Sequence, residues 1–125
     1  MLDRIRLDAD ARSVGRARRF CASMLGDWGA PPDLVDTCLL LVSELATNAV
    51  LHARTPFTVS ISRNRDLRVE VVDADPTLPQ VRDYSVDAAS GRGLHLISSM
   101  AADFGARAVE GGKAVWFVLP WRGPS

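Results

Sequence analysis

The sequence predicts an α+β domain, a two-layer sandwich with a mixed, largely antiparallel sheet and helices packed on one face. Three observations predict it. Two long segments in the first half carry apolar residues at intervals of three and four, the helical spacing. The period then falls to two, and the strands come in pairs as hairpins. The helices cluster instead of alternating one for one with strands, which separates the chain from a doubly wound parallel fold.

Each element follows from its own residues. Ile5 and Leu7 alternate with charged residues and read as a short first strand. Ser13 offers an N-cap for a helix to about Leu25, with Val14, Ala17, Cys21, Met24 and Leu25 on its apolar side. Arg12, Arg16, Arg18 and Arg19 occupy the other faces, as a solvated face or a partner surface. Gly26 to Pro32 breaks the helix. Asp33 caps a longer one reaching about Ala53, striped by Leu34, Cys38, Leu41, Val42, Leu45 and Ala49. Phe57, Val59 and Ile61 alternate with polar residues, Asn64-Arg65-Asp66 turns the chain, and Leu67 to Val72 completes a hairpin. Asp73 to Ser90 has no clear period and contains Pro76 and Pro79, so it reads as a long loop of the functional kind. A third helix opens near Arg92 with Leu94, Ile97 and Ala101 on its apolar side. Ala106 to Glu110 and Lys113 to Leu119 form a second hairpin across Gly111-Gly112. The expected organisation is one domain over residues 1–125.

Composition narrows the function. Apolar residues make up 47% of the 125, enough for a core. Fifteen basic side chains balance fifteen acidic ones, so charge gives no reason to expect nucleic acid or an anionic membrane as partner. Cys21 and Cys38 fall in apolar helical segments with no metal-ligand pattern and read as buried, reduced thiols. The N-terminus lacks the apolar run of a signal peptide, and no segment approaches the ~18 consecutive apolar residues of a membrane span. The expected location is the cytoplasm.

Three places break the pattern. Glu44 and Asn48 stand four residues apart, hence on one helix face, at the margin of the apolar stripe beside Leu41 and Leu45. Polar groups there need partners. One reading is an internal hydrogen bond to a loop. The other is chemical: an amide oxygen suits a hard divalent cation, and a nearby carboxylate can deprotonate an attacking hydroxyl. Asp73 ends an apolar strand, where a carboxylate either turns the chain or accepts hydrogen bonds at a pocket floor. Ser90-Gly91-Arg92-Gly93-Leu94 precedes a helix. Glycines allow close backbone approach to a ligand, a helix N-terminus suits phosphate, and Arg92 adds a bidentate donor. An ordinary glycine-rich turn is the alternative.

The order and spacing of these segments resemble the GHKL ATPases, the group of gyrase, Hsp90, the histidine kinases and the mismatch-repair proteins. Ser43-Glu44-Leu45-Ala46-Thr47-Asn48-Ala49-Val50-Leu51-His52-Ala53 is similar to the family's N box. Val72-Asp73-Ala74-Asp75 resembles its first glycine box, and Gly91-Arg92-Gly93-Leu94-His95-Leu96-Ile97 its second. Gly111 to Phe117 resembles its last hairpin. The short form, covering about Arg12 to Pro120, is most similar to the anti-sigma-factor serine kinases of actinobacteria. The resemblance implies a Bergerat-type fold that binds ATP with Mg²⁺. It implies that Glu44 is the general base, that Asn48 binds Mg²⁺, and that Asp73 accepts from the adenine amine. It further implies that Gly91, Arg92, Gly93 and Leu94 line the phosphates and that residues 75–90 form an ATP lid. Relatives of this kind bind a sigma factor, phosphorylate a serine on an anti-anti-sigma antagonist, and in several cases dimerise.

Two departures bear on the base. Asp75 stands where the first glycine box has a glycine, and the threonine of the family's final strand corresponds to Ala114. Both imply weaker nucleotide binding than in relatives with intact boxes. The expected function is thus an ATP-binding serine kinase of the anti-sigma type, and the alternative is a non-catalytic module with a degenerate ATP site. His52 and His95 read as packing or capping residues, not phospho-acceptors.

Overall fold

The computed structural model describes residues 1–78 and 93–122. Its elements are β1 (Leu2–Leu7), α1 (Arg12–Asp27), α2 (Pro32–Asn48), a π-helical turn (Ala49–Ala53), β2 (Phe57–Arg63), β3 (Leu67–Asp73), α3 (Gly93–Met100), β4 (Asp103–Val109) and β5 (Gly112–Leu119). The five strands form one sheet in the order β1-β2-β3-β5-β4.

Every pair in this sheet is antiparallel, whereas the sequence left room for a mixed one. The connection through α3 would make β3 and β4 a parallel pair if they were neighbours. Instead β5 lies between them, hydrogen-bonded to both.

The alternation in β2 and β3 sorts the two faces. Phe57, Val59 and Ile61 of β2, and Leu67, Val69 and Val71 of β3, are buried. The register sets Leu67 opposite Leu119, Val69 opposite Phe117 and Val71 opposite Val115, so all of them line one face. The helices cover it with Ala17, Cys21 and Leu25 from α1, Leu34, Cys38, Leu41, Val42 and Leu45 from α2, and Ile97 from α3. On the other face Glu70 pairs with Arg107 at 2.7 Å, and the Arg68 guanidinium lies 4.4 Å from the centre of the Trp116 ring.

The helix starts differ from expectation. Ser13 is buried inside the first turn of α1, not at its cap, and its N–H bonds the Asp10 carbonyl at 2.9 Å. The N-cap position is Ala11, without a side-chain cap. In α2 the cap is Pro31, with Pro32 as the first helical residue and Asp33 in the first turn. Proline's fixed φ suits that position, and an acidic side chain there favours the positive end of the helix dipole. Arg18 stays exposed, and its Nη1 donates to Ser43 Oγ and to the Leu39 carbonyl, tying α1 to α2.

Together α2 and the π-helical turn make one continuous helix, Pro32–Ala53, long and apolar enough to cross a membrane by length and composition alone. Its apolar stripe is spent in the core instead, where Leu34, Cys38, Leu41, Val42, Leu45, Ala46 and Ala49 are all buried.

Both cysteines are buried and free, as the sequence predicts. Burial pushes the Cys21 thiol up to about 12 and that of Cys38 well above its ordinary value. Their native-state stabilisation is therefore complete below the unfolded thiol pKa of about 8.5 and is lost as pH rises toward 12. Neither thiol should react with Ellman's reagent at pH 8 in the native state, both should react in guanidinium, and the melting temperature should fall above about pH 9.

β5 begins in close contact with the end of β3. A Cβ added at Gly112 would lie 1.8 Å from the Asp73 carbonyl oxygen and 2.8 Å from Ala74 Cα, both rigid backbone atoms. Gly112→Ala should lower unfolding free energy by about 1–3 kcal/mol in denaturant titrations. Gly26→Ala in α1, where an added Cβ meets nothing within 4 Å, should leave it unchanged or slightly raised.

Candidate functional site

The last turns of α2 and the last residue of β3 lie at one end of the molecule because the chain between them is short. Only residues 54–56 separate the π-helical turn from Phe57, and Phe57 is the register partner of Asp73. Arg54 makes the reversal in the left-handed region at φ 57°, and its N–H closes an i→i+5 bond on Ala49 at 2.9 Å. Insertions of this kind in helices recur at functional sites.

Glu44 and Asn48 are both half-buried, one turn apart on α2, and Asn48 is the residue at which α-helical bonding gives way to the π-helical turn. The Asn48 amide oxygen, Oδ1, is buried, and among the described residues no donor reaches it. A buried acceptor left in this state costs about 1–3 kcal/mol. Asn48 therefore fits the role of a cation ligand: it is a neutral oxygen donor, unspent by the protein, with a carboxylate one turn away. Mg²⁺ takes few protein ligands and completes its shell with water and substrate phosphates, so one such oxygen is enough. Among the described residues no group of three or more His, Cys, Asp or Glu side chains forms a self-contained metal centre.

Asp73 is buried, and its surroundings are more elaborate than the sequence suggests. Its Oδ1 accepts from the Asp75 N–H at 2.9 Å and from Lys113 Nζ at 3.1 Å. Lys113 is equally buried and also donates to the Asp75 carbonyl at 3.2 Å. The Thr55 hydroxyl accepts from the Ala74 N–H at 3.0 Å and so fixes the chain just beyond Asp73. The Asp75 side chain is half-buried, with its Oδ2 3.9 Å from Lys113 Nζ. The Thr77 N–H and then the Thr77 hydroxyl hold its carboxyl below the usual carboxylate range, so it is ionised at neutral pH. Asp75 is the residue that stands where the first glycine box has a glycine.

Lys113, the buried partner of Asp73, is the neighbour that sequence reasoning missed. Ala114 was the position matched to the family's threonine, but it pairs with Val72 and its side chain belongs to the opposite face. Lys113 is the partner of Asp73. A slip of one residue in a strand exchanges faces, and nothing in the run Gly111-Gly112-Lys113-Ala114 marks where the strand starts. The close approach of Gly112 to Asp73 sets that register. Of the remaining site residues, Gly93 and Leu94 stand in the first turn of α3, and Gly91 and Arg92 lie outside the described residues. So does most of the segment 75–90 assigned to a lid; only 75–78 is described. His52 is in the last turn of the π-helical segment, in keeping with an end-of-helix role.

Comparison with known proteins agrees with this geometry. The family model for the histidine kinase-like ATPase domain matches residues 7–119. Among solved structures, the chain is similar to the crystal structure of the RsbU and RsbW domains of Rv1364c from Mycobacterium tuberculosis. That likeness has a TM-score of 0.75 at 17% identity and covers 100% of this chain and 33% of that one. It is also similar to the histidine kinase domain of a blue-light activated histidine kinase from Erythrobacter litoralis, with a TM-score of 0.54 at 22% identity, covering 86% of this chain and 59% of that one. At such identities the likeness establishes the fold alone, and this chain spans less than two thirds of either structure. No curated protein sequence matches the chain. The match over nearly its whole length shows that this chain belongs to the histidine kinase-like ATPase domain family.

Proposed function

We propose that the chain is a cytoplasmic ATP-binding regulatory protein that phosphorylates a serine on an antagonist protein and sequesters a sigma factor. The observation that carries the nucleotide part is the buried Oδ1 of Asn48, one turn from Glu44, which no donor reaches among the described residues. The class of partner comes from the resemblance of the N box and second glycine box to the anti-sigma-factor kinases.

In this reading Asn48 holds Mg²⁺ through Oδ1, and Asp73 faces the base. The bound cation supplies charge neutralisation of the phosphates. Glu44 accepts the proton of the attacking serine hydroxyl. The serine oxygen bonds to the γ-phosphorus as the bond between that phosphorus and the β–γ bridging oxygen breaks, and ADP leaves. Glu44 is half-buried, which excludes part of the bulk water from the carboxylate.

A second reading has its own support. Lys113 already occupies one oxygen of Asp73, and the ionised Asp75 adds negative charge near the phosphates. These features favour a module that holds nucleotide or a partner without transferring phosphate.

Two variants separate the readings. Glu44→Ala should leave ATP binding in Mg²⁺ within a few-fold of wild type by calorimetry. It should lower transfer to a cognate antagonist by on the order of a hundred-fold or more. Asn48→Ala should weaken binding in Mg²⁺ and abolish the difference between binding with and without the cation. Wild-type binding without transfer to any antagonist it holds would leave the binding module as the function. Absence of ATP binding at millimolar concentration would overturn the kinase reading and the nucleotide part of the second, leaving partner binding alone.

A further inference from the structure

Among the described residues, the buried pair formed by Lys113 and Asp73 has one valence of each sign left over. An ammonium has three N–H groups. One of Lys113 goes to Asp73 Oδ1 at 3.1 Å and one to the Asp75 carbonyl at 3.2 Å. The next oxygen, Asp75 Oδ2, is 3.9 Å away, beyond hydrogen-bond reach. On the carboxylate, both described bonds fall on Oδ1, and among the described residues no donor reaches Oδ2. The side chains of Lys113 and Asp73 are 8% and 4% exposed, so the pair keeps only a narrow opening toward solvent. Buried charged groups need their remaining hydrogen bonds satisfied.

We propose that Lys113 is a base-reading residue, which with Asp73 presents one donor and one acceptor side by side to the edge of adenine. Asp73 accepts from the exocyclic amine through Oδ2, and Lys113 donates its third N–H to the ring nitrogen N1. The assignment rests on the nucleotide-binding reading above and names a determinant that reading leaves out. Three features favour an uncharged base edge over a phosphate. The pair is neutral in sum. Phosphate oxygens at Lys113 would lie against the carboxylates of Asp73 and Asp75. The position is also fixed, because Gly112 presses the start of β5 onto the Asp73 backbone and the Asp75 amide and carbonyl hold both members of the pair.

The test compares ADP with 1-deaza-ADP, in which a C–H replaces N1, by calorimetry in Mg²⁺. The wild-type chain should bind ADP about tenfold or more tighter, the loss expected for one hydrogen bond to a charged donor. Lys113→Met, which keeps length and removes the donor, should bind the two alike to within about twofold. Its fold is checked by circular dichroism, and the wild-type comparison stands without it. Equal wild-type affinities for the two nucleotides would overturn the assignment and leave nucleotide binding intact. So would tighter ADP binding by Lys113→Met than by wild type, since the lysine would then be competing with the base for Asp73. If the wild-type chain bound neither nucleotide, the nucleotide reading itself would fail and take this assignment with it.

Discussion

The helix Pro32–Ala53 has to satisfy two demands at once, and the rest of the molecule is arranged around them. Its apolar stripe must be buried against the sheet, which Leu41, Leu45 and Ala49 accomplish. Its polar margin carries Glu44 and Asn48, both half-buried and within a turn of that stripe. The α-helical bonding ends at Asn48, and the π-helical turn that follows carries the chain on to the start of β2. The outcome is an amide oxygen that is buried and has no donor among the described residues. A protein selected only for stability would supply a donor or replace the residue, because an orphaned buried acceptor is costly. In the proposed function, a ligand that brings its own cation would remove the cost when it binds.

The sheet answers the same demand from below. Phe57 opens β2 opposite Asp73, and β5 begins opposite the same residue, so three strand ends meet where α2 finishes. Gly112 permits the contact between β5 and the Asp73–Ala74 backbone. Thr55, in the short connection from the helix, holds the Ala74 amide. Backbone and side chain thus fix the direction of Asp73, and Lys113 balances its charge without leaving the sheet. Rigid placement of this kind suits recognition, since little has to be ordered when a ligand arrives.

Much of this was legible in the sequence, for a physical reason. Periods of two and of three to four survive in the residues themselves, so the strands β2 and β3 and the stripe of α2 could be read directly. Glu44, Asn48 and Asp73 showed as polar residues at the margin or end of apolar elements. The rest depends on register and on long-range contact. Ser13 reads as a cap because serine caps helices, but the helix begins at Arg12 and buries it. The π-helical turn has no composition of its own to announce it. Lys113 was missed by a single position, since only the pairing of β5 with β3 decides which of Lys113 and Ala114 shares a face with Asp73.

The central claim is that Asn48 Oδ1 binds the cation that accompanies the nucleotide. The most direct measurement is electron–nuclear double resonance on the chain labelled with ¹³C-asparagine and loaded with ADP and Mn²⁺ in place of Mg²⁺. The account predicts a ¹³C coupling from an asparagine bound directly to the metal, present only with ADP and absent in Asn48→Ala. An ADP-bound Mn²⁺ that shows no ¹³C coupling to asparagine would contradict it.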